Sequence, residues 1–389
     1  MPGSRERVLK AFAHEEPDRT PLFEIFCEFH PIYWDLCGRN AATDAIQYWD
    51  ALAGGIAWEE LVEMQAQAVF TIHRFFEVDL VRAGGNRGRD LPRPEKTGPK
   101  SWRQNGLDYV YNEKTHLVDP AVSVSYTHRQ SEDDVRRMIE TWEPKVFVRP
   151  SDESFYILRR LKEMAAAEGL DWMYMGEIGA GTGAAFYPPF MLMWVAAEPD
   201  LFRRWLEIQK ANGFPYTEHQ ISLGYEVVAM GGDVSCDKGP FISPRHYHEF
   251  LLPAIQEHVQ LIQTNGALAV YTSDGNHHAI KDDFFFNSGI DGYKEVDQAA
   301  GMTWPWLIEN GIDTRVCILG NTDARYSLCL GTPEEVKREV RQSLDYGRRS
   351  PGGHILHNSH SVHEDVQVEN YYAVIEAYRE YFSLEPLPL

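Results

Sequence analysis

The residues of this chain best placed to do chemistry are acids and a histidine that end short apolar runs. Residues 266–280 read GALAVYTSDGNHHAI. Residues 267–270 suit a strand buried on both faces, and a polar turn with a glycine follows before a helical pattern. That sequence of features is one βα unit of a parallel sheet. In such sheets the residues just past the strand's C-terminal end face the site. Asp274 is therefore the first candidate for acid–base work, with turn-shaping and helix capping by Asp274 and Asn276 as the alternative. Similar endings recur at Glu24, Asn86, Glu177, Asp233, Glu295, Asn321 or Asp323, and His360. His277 and His278 read as surface residues of a helix's first turn.

The elements that must position these residues alternate regularly. Strand-like runs lie near residues 21, 80, 173, 227, 268, 293, 316 and 355, separated by helical segments such as 58–76, 199–223, 244–264 and 368–381. Eight strands in alternation with helices predict a single (β/α)₈ barrel over residues 1–389, with a doubly wound sheet as the alternative. Residues 88–120 break the pattern. They are rich in Pro, Gly and charge, then alternate, which predicts a β-hairpin inserted into the barrel with its turn at 112–113.

Composition excludes several classes. A formal net charge of −21 argues against nucleic-acid binding and against attachment to anionic membranes. Five cysteines without CxxC spacing fit a reducing, cytoplasmic setting. The start, MPGSRERVLKAF, has no apolar run of signal-peptide type, and no stretch is long and apolar enough to span a membrane.

Several blocks together resemble the uroporphyrinogen decarboxylase superfamily: SRERVLKAFAHEEPDRTPL at the start, Gly231-Gly232-Asp233 with Lys238-Gly239-Pro240, TSDGN at 272–276, GIDGYKEVDQAAGM, GNTDARYSLCLGTPEEVKREV, and GGHILHNSHSV. The resemblance implies a (β/α)₈ barrel, in agreement with the strand count. True decarboxylases carry an arginine-containing segment after the first strand. Here that stretch is Glu24-Ile25-Phe26-Cys27-Glu28-Phe29-His30, with no arginine. Thiol-methylating members carry an HxC zinc site after the fifth strand, whose positions are Tyr271 and Ser273 here, and a late cysteine, which is His360 here.

What the resemblance leaves is demethylation of a small methylated donor, foremost a methoxylated aromatic, with transfer of the methyl group to a Co(I) corrinoid. The chain shows no DxHxxG-type loop, so a separate corrinoid-binding protein is the expected partner. The catalytic set expected on that basis is Asp274, Glu177 and Asp233. Glu24, Phe26, Tyr271, Asn321 and His357 are expected to contact substrate, and Trp34 and Phe186 to help line an apolar pocket. The leaving oxygen needs either a proton from a carboxylic acid of raised pKa or a zinc ion on Asp274, Glu295 and His360. A homodimer is also expected of such barrels. The competing readings are a methylcorrinoid:thiol or folate methyltransferase, a uroporphyrinogen-type decarboxylase, and a non-catalytic ligand-binding barrel.

Overall fold

A computed structural model describes residues 3–121, 131–178, 190–349 and 352–388. The glycines at 179–181 and Phe186 lie outside the described residues. Eight parallel strands form one sheet in strict chain order: β1 Phe23–Glu24, β2 Leu80–Arg82, β3 Met173–Glu177, β4 Val227–Gly231, β5 Leu268–Thr272, β6 Gly292–Lys294, β7 Cys317–Leu319 and β8 His354–Ile355. A parallel bridge between Leu22 and Leu356 joins the last strand to the first. The eight expected strands are all present, and helices separate them as in a TIM barrel.

Alternation along each strand divides the core. Phe23, Ile25, Leu80, Met173, Met175, Val227, Ala229, Val270, Cys317, Leu319 and Ile355 form an inner cluster that fills the barrel. Val8 and Ala11 of the first helix, Ser4–Phe12, join it and close the bottom. The other parity, including Val228, Met230, Ala269, Tyr271, Tyr293 and Ile318, packs outward against helices. Helix starts follow capping chemistry. Asp44, Ser131 and Asp297 accept backbone N–H groups, and Thr332 forms a reciprocal capping box with Glu335 at Pro333–Gly347.

The insertion is larger than a hairpin. Glu95–Gly98, Ser101–Gln104, Leu107–Tyr111 and Val118–Pro120 form a four-stranded antiparallel sheet. The turn spans 112–117 rather than 112–113, because Asn112 N–H reaches the Leu117 carbonyl. The charged stretch at 95–104 alternates too weakly to read as strands. Trp102, fully buried, anchors this sheet by donating from Nε1 to Asp50 Oδ1 at 3.0 Å on helix Ala45–Ala53. Among the described residues all five cysteines are free, and no helix is long and apolar enough to cross a membrane.

One buried charge ties the barrel bottom together. Asp79, fully buried, accepts from Leu22 N at 3.0 Å, from Arg7 Nη1 at 3.1 Å and from Arg19 Nη2 at 3.4 Å. Removing the carboxylate leaves two arginines short of their partner. Asp79→Ala is expected to cost about 3 kcal/mol, read as a lower urea midpoint. An unchanged midpoint would show that the network does not hold the first helix.

Candidate active site at the barrel mouth

Strand parity decides which residues reach the mouth. Inward positions continue from Leu80 to Arg82, from Met175 to Glu177, from Ala229 through Gly231 to Asp233, and from Val270 through Thr272 to Asp274. Gly292 leads to Lys294, and Ile355 to His357. The local backbone permits this at two glycines. Gly231 has φ 106°, and a Cβ there would meet the Tyr271 ring at 2.6 Å. Gly275 has φ 84°, and a Cβ there would lie 2.9 Å from the Ser235 backbone. Gly275 thus lets the TSDG turn lie against the loop after β4.

Two cations and two glutamates make a ladder across the mouth. Arg82 Nη2 is 2.6 Å from Glu177 Oε2, Lys294 Nζ is 3.4 Å from Glu177 Oε1, and Lys294 Nζ is 2.8 Å from Glu295 Oε1. Lys294 is 1% exposed. Glu295 sits at φ 67°, a left-handed conformation costly for a residue with a side chain. Burial pushes its carboxyl up, but the contact with Lys294 outweighs that and holds it below its ordinary value.

Asp274 and Asp233 share no such cation. Burial, then Asp233, Glu295 and Asp297, push the Asp274 carboxyl up to about 7, with Arg325 opposing. Asp233 is open to the solvent of the mouth on one side. Even so, partial burial and then Glu295 raise it, against a hydrogen bond from the Asp274 backbone N–H. These are the two ordinary causes of a neutral carboxyl group, desolvation and like charge nearby. Burial also lowers His360, against the pull of Glu295. Its Nδ1 lies 3.0 Å from Ser361 Oγ.

A cavity of about 470 Å³ opens beside Asp274, lined by Asp297, Arg325, Cys329, Ser359, His360 and His363 among others. A second, of about 160 Å³, lies at the ends of β1 and β2, lined by Glu24, Phe26, Glu28, Tyr33, His73 and Arg82 among others. Glu24 is buried. It accepts from Ile25 N at 2.9 Å and from Asn358 Nδ2, and its Oε1 is 3.2 Å from His357 Nδ1.

The expected residues divide accordingly. Asp274 and His360 line the large cavity, and Asp233 and Glu295 act on Asp274 electrostatically. Glu177 is locked to Arg82 and Lys294, which makes it a scaffold of the floor rather than a free acid. Phe26 and Glu24 line the small cavity, with Phe26 mostly committed to a cluster with His73, Phe76 and Tyr371. Tyr271 is a correction: at 1% exposure it points outward onto Phe284, because it has the opposite parity to Val270 and Thr272. Asn321 is another. It is buried and bonds the Met302 carbonyl and Ser343 behind the sheet. Asp323 caps the turn at Tyr326 N, Asn86 bonds the Glu153 carbonyl, and Trp34 donates to the Thr43 carbonyl, so none of the three lines either cavity, though each is next in the chain to a residue that does. His277 is not on the surface. It is fully buried, 2.8 Å from Ser235 Oγ and stacked on Phe284 at 4.3 Å.

The expected zinc ligands do not fit a metal ion. Among the described residues no three His, Cys, Asp or Glu side chains gather around a common point. Glu295 is turned to Lys294, and His360 to Ser361. The sequence reading also missed Arg82, Lys294, Asp297 and Arg325. Arg82 and Lys294 were legible by counting two residues on from Leu80 and Gly292. Asp297 and Arg325 sit on irregular loops that no periodicity marks.

Replacing Asp274 tests its raised pKa through stability. The folded chain keeps a proton that the unfolded chain releases from its ordinary value of 3.8 upward, so stability falls as pH rises from about 4 to about 7. Asp274→Asn removes that slope. It should be more stable than the parent by about 1 kcal/mol at pH 8, a figure discounted for the solvent on one side of the group. The gap should shrink toward pH 5, and a gap independent of pH in urea titrations would contradict the raised pKa.

Known proteins resemble this chain in sequence and in fold. A family model described as "Uroporphyrinogen decarboxylase (URO-D)" matches residues 174–381, more than half of the chain. Uroporphyrinogen decarboxylase of Actinobacillus succinogenes is 28% identical over 217 residues, 54% of this chain and 55% of that one. That of Chlorobium phaeobacteroides is 29% identical over 147 residues, 36% of this chain and 38% of the other. The chain thus matches about half, or less, of the length of these relatives. A methyltransferase from Methanosarcina mazei superposes with a TM-score of 0.64 at 18% identity, over 98% of this chain and 99% of that one. With its barrel, its mouth and this match in hand, the chain belongs to the uroporphyrinogen decarboxylase family.

Proposed function

We propose that this protein is a methyltransferase that demethylates a small methylated donor, best a methoxylated aromatic, and passes the methyl group to the Co(I) corrinoid of a partner protein. The observation that carries this reading is a carboxyl group, Asp274, raised to about 7 on the wall of a cavity open to solvent. The corrinoid supplies the electron pair that accepts the methyl carbon. As the carbon–oxygen bond breaks, its electron pair stays on oxygen, and that oxygen takes the Asp274 proton. Asp233 and Glu295 keep the proton on Asp274 beforehand. Lys294 and Arg82 hold Glu295 and Glu177 in the ion-pair ladder of the floor. After release of the phenol, Asp274 regains a proton from the open mouth. The fold shared with a methyltransferase supports the reading.

A decarboxylase reading draws on the names of the curated relatives. The inward cations of the floor speak against it, since Arg82 and Lys294 are already engaged by Glu177 and Glu295. A polycarboxylate would have to displace both.

The test is anaerobic mixing with cob(I)alamin and a panel of methoxyarenes, followed by its visible spectrum. The cob(I) band should decay with the native protein, before and after chelator treatment. Asp274→Asn should slow the decay about 100-fold for donors with poor leaving groups, and far less for electron-poor phenyl ethers. No decay with any donor and any carrier would end the demethylase reading. Loss of activity on chelation would restore a metal in place of the acid.

A further inference from the structure

Asp274 shares its cavity with one strong cation. Arg325, on the turn Ala324–Leu328 after β7, is the only lysine or arginine lining that cavity among the described residues. It is close enough to oppose the rise of the Asp274 pKa. Its side chain is 45% exposed, and its two ion-pair contacts are long and single. Nη1 is 3.3 Å from Asp237 Oδ2, and Nη2 is 3.4 Å from Asp297 Oδ2. Neither is the two-pronged pairing that a guanidinium makes at about 2.8 Å with a well-placed carboxylate. The partners are weakly bound for separate reasons. Asp237 is 63% exposed, and Asp297 uses its other oxygen to accept from Ala300 N at 3.1 Å. Even with the Tyr326 side chain as a further partner, Arg325 keeps donor capacity facing a cavity whose other charged lining groups are carboxylates, set among histidines and apolar side chains such as Ala324 and Leu330.

We propose that Arg325 is the specificity residue of this cavity, and that it binds a carboxylate on the methylated donor, so that methoxylated aromatic acids are preferred over neutral methoxyarenes. This rests on the demethylase reading above for the methyl group, but the carboxylate site itself does not. A carboxylate across the ring from the ether would lie against Arg325 while the ether oxygen faces Asp274. The cavity, at about 470 Å³, has room for one substituted ring. Asp297 and Asp365, which also line it, repel an anion placed anywhere but at the guanidinium. The same charges that would exclude a free acid elsewhere thus fix its orientation here. The planar fork is also why lysine is a poor substitute.

The experiment is calorimetric binding of two demethylated probes, 4-hydroxybenzoate and phenol, to the full chain, to Arg325→Gln and to Arg325→Lys, with thermal midpoints as a folding control. The native protein should prefer the benzoate by at least about tenfold. The preference should collapse to about one in R325Q and recover in part in R325K. Equal affinity for the two probes in the native protein, or a preference that survives R325Q, would overturn the proposal. Demethylation assays separate the two ideas. Turnover of neutral methoxyarenes as fast as of their acids would overturn the specificity and leave the demethylase reading standing. A benzoate preference that depends on Arg325, in a protein that demethylates nothing, would support the carboxylate site and remove the demethylase reading.

Discussion

The mouth depends on how its carboxylates share two cations, the buried Lys294 and the half-buried Arg82. Arg82 and Lys294 neutralise Glu177 and Glu295 through contacts of 2.6 Å, 3.4 Å and 2.8 Å. Asp233 and Asp274 make no ion pair of their own among the described residues, although Lys294 acts on Asp233 and Arg325 on Asp274 from a distance. In a partly desolvated site two such acids cannot both ionise cheaply. The proton settles on the pair, and Asp274, the more enclosed of the two, carries the larger rise. The floor ladder and the raised Asp274 carboxyl are therefore one arrangement. A change at Lys294 would leave Glu295 without its cation, and a change at Asp233 would remove the largest like-charge push on Asp274.

The barrel was legible because burial on both faces makes parallel strands read as short apolar runs. Residues 267–270 and 315–319 show this, and the strand expected near residue 293 is Gly292–Lys294. The insertion was harder. Its first two strands carry Glu95, Lys96 and Arg103 exposed, so nothing in 95–104 alternates strongly, and only the pair around Leu107–Tyr111 announced itself.

The site was legible in its acids and obscure in its cations. Asp274, Asp233, Glu295 and His360 sit where strand ends predict. Tyr271 was misplaced because a residue near a strand end was taken to face inward, whereas parity sends it to the helices; Asn321 shares the parity of Cys317 and Leu319 and is nonetheless turned to Met302 and Ser343. Applied strictly, the same parity picks out Arg82 and Lys294, so the missing cations were a matter of counting by two. Arg325 and Asp297 lie on turns, where no period applies and only the folded chain brings them beside Asp274. The expected zinc set fails for a related reason. Strand ends place Asp274, Glu295 and His360 around one mouth, but Lys294 is adjacent to Glu295 in the chain and claims it first.

Family membership fixes the barrel and leaves the chemistry to the mouth, since one fold supports several reactions. What distinguishes this mouth is a carboxyl group, Asp274, that burial and neighbouring acids push up to about 7. The most direct measurement is the titration of Asp274 itself, by carbon NMR of aspartate-labelled protein, with the resonance assigned through Asp274→Asn. The account predicts a midpoint near 7 that falls toward the ordinary range in Asp233→Asn. A midpoint near 4 in the native protein would contradict it.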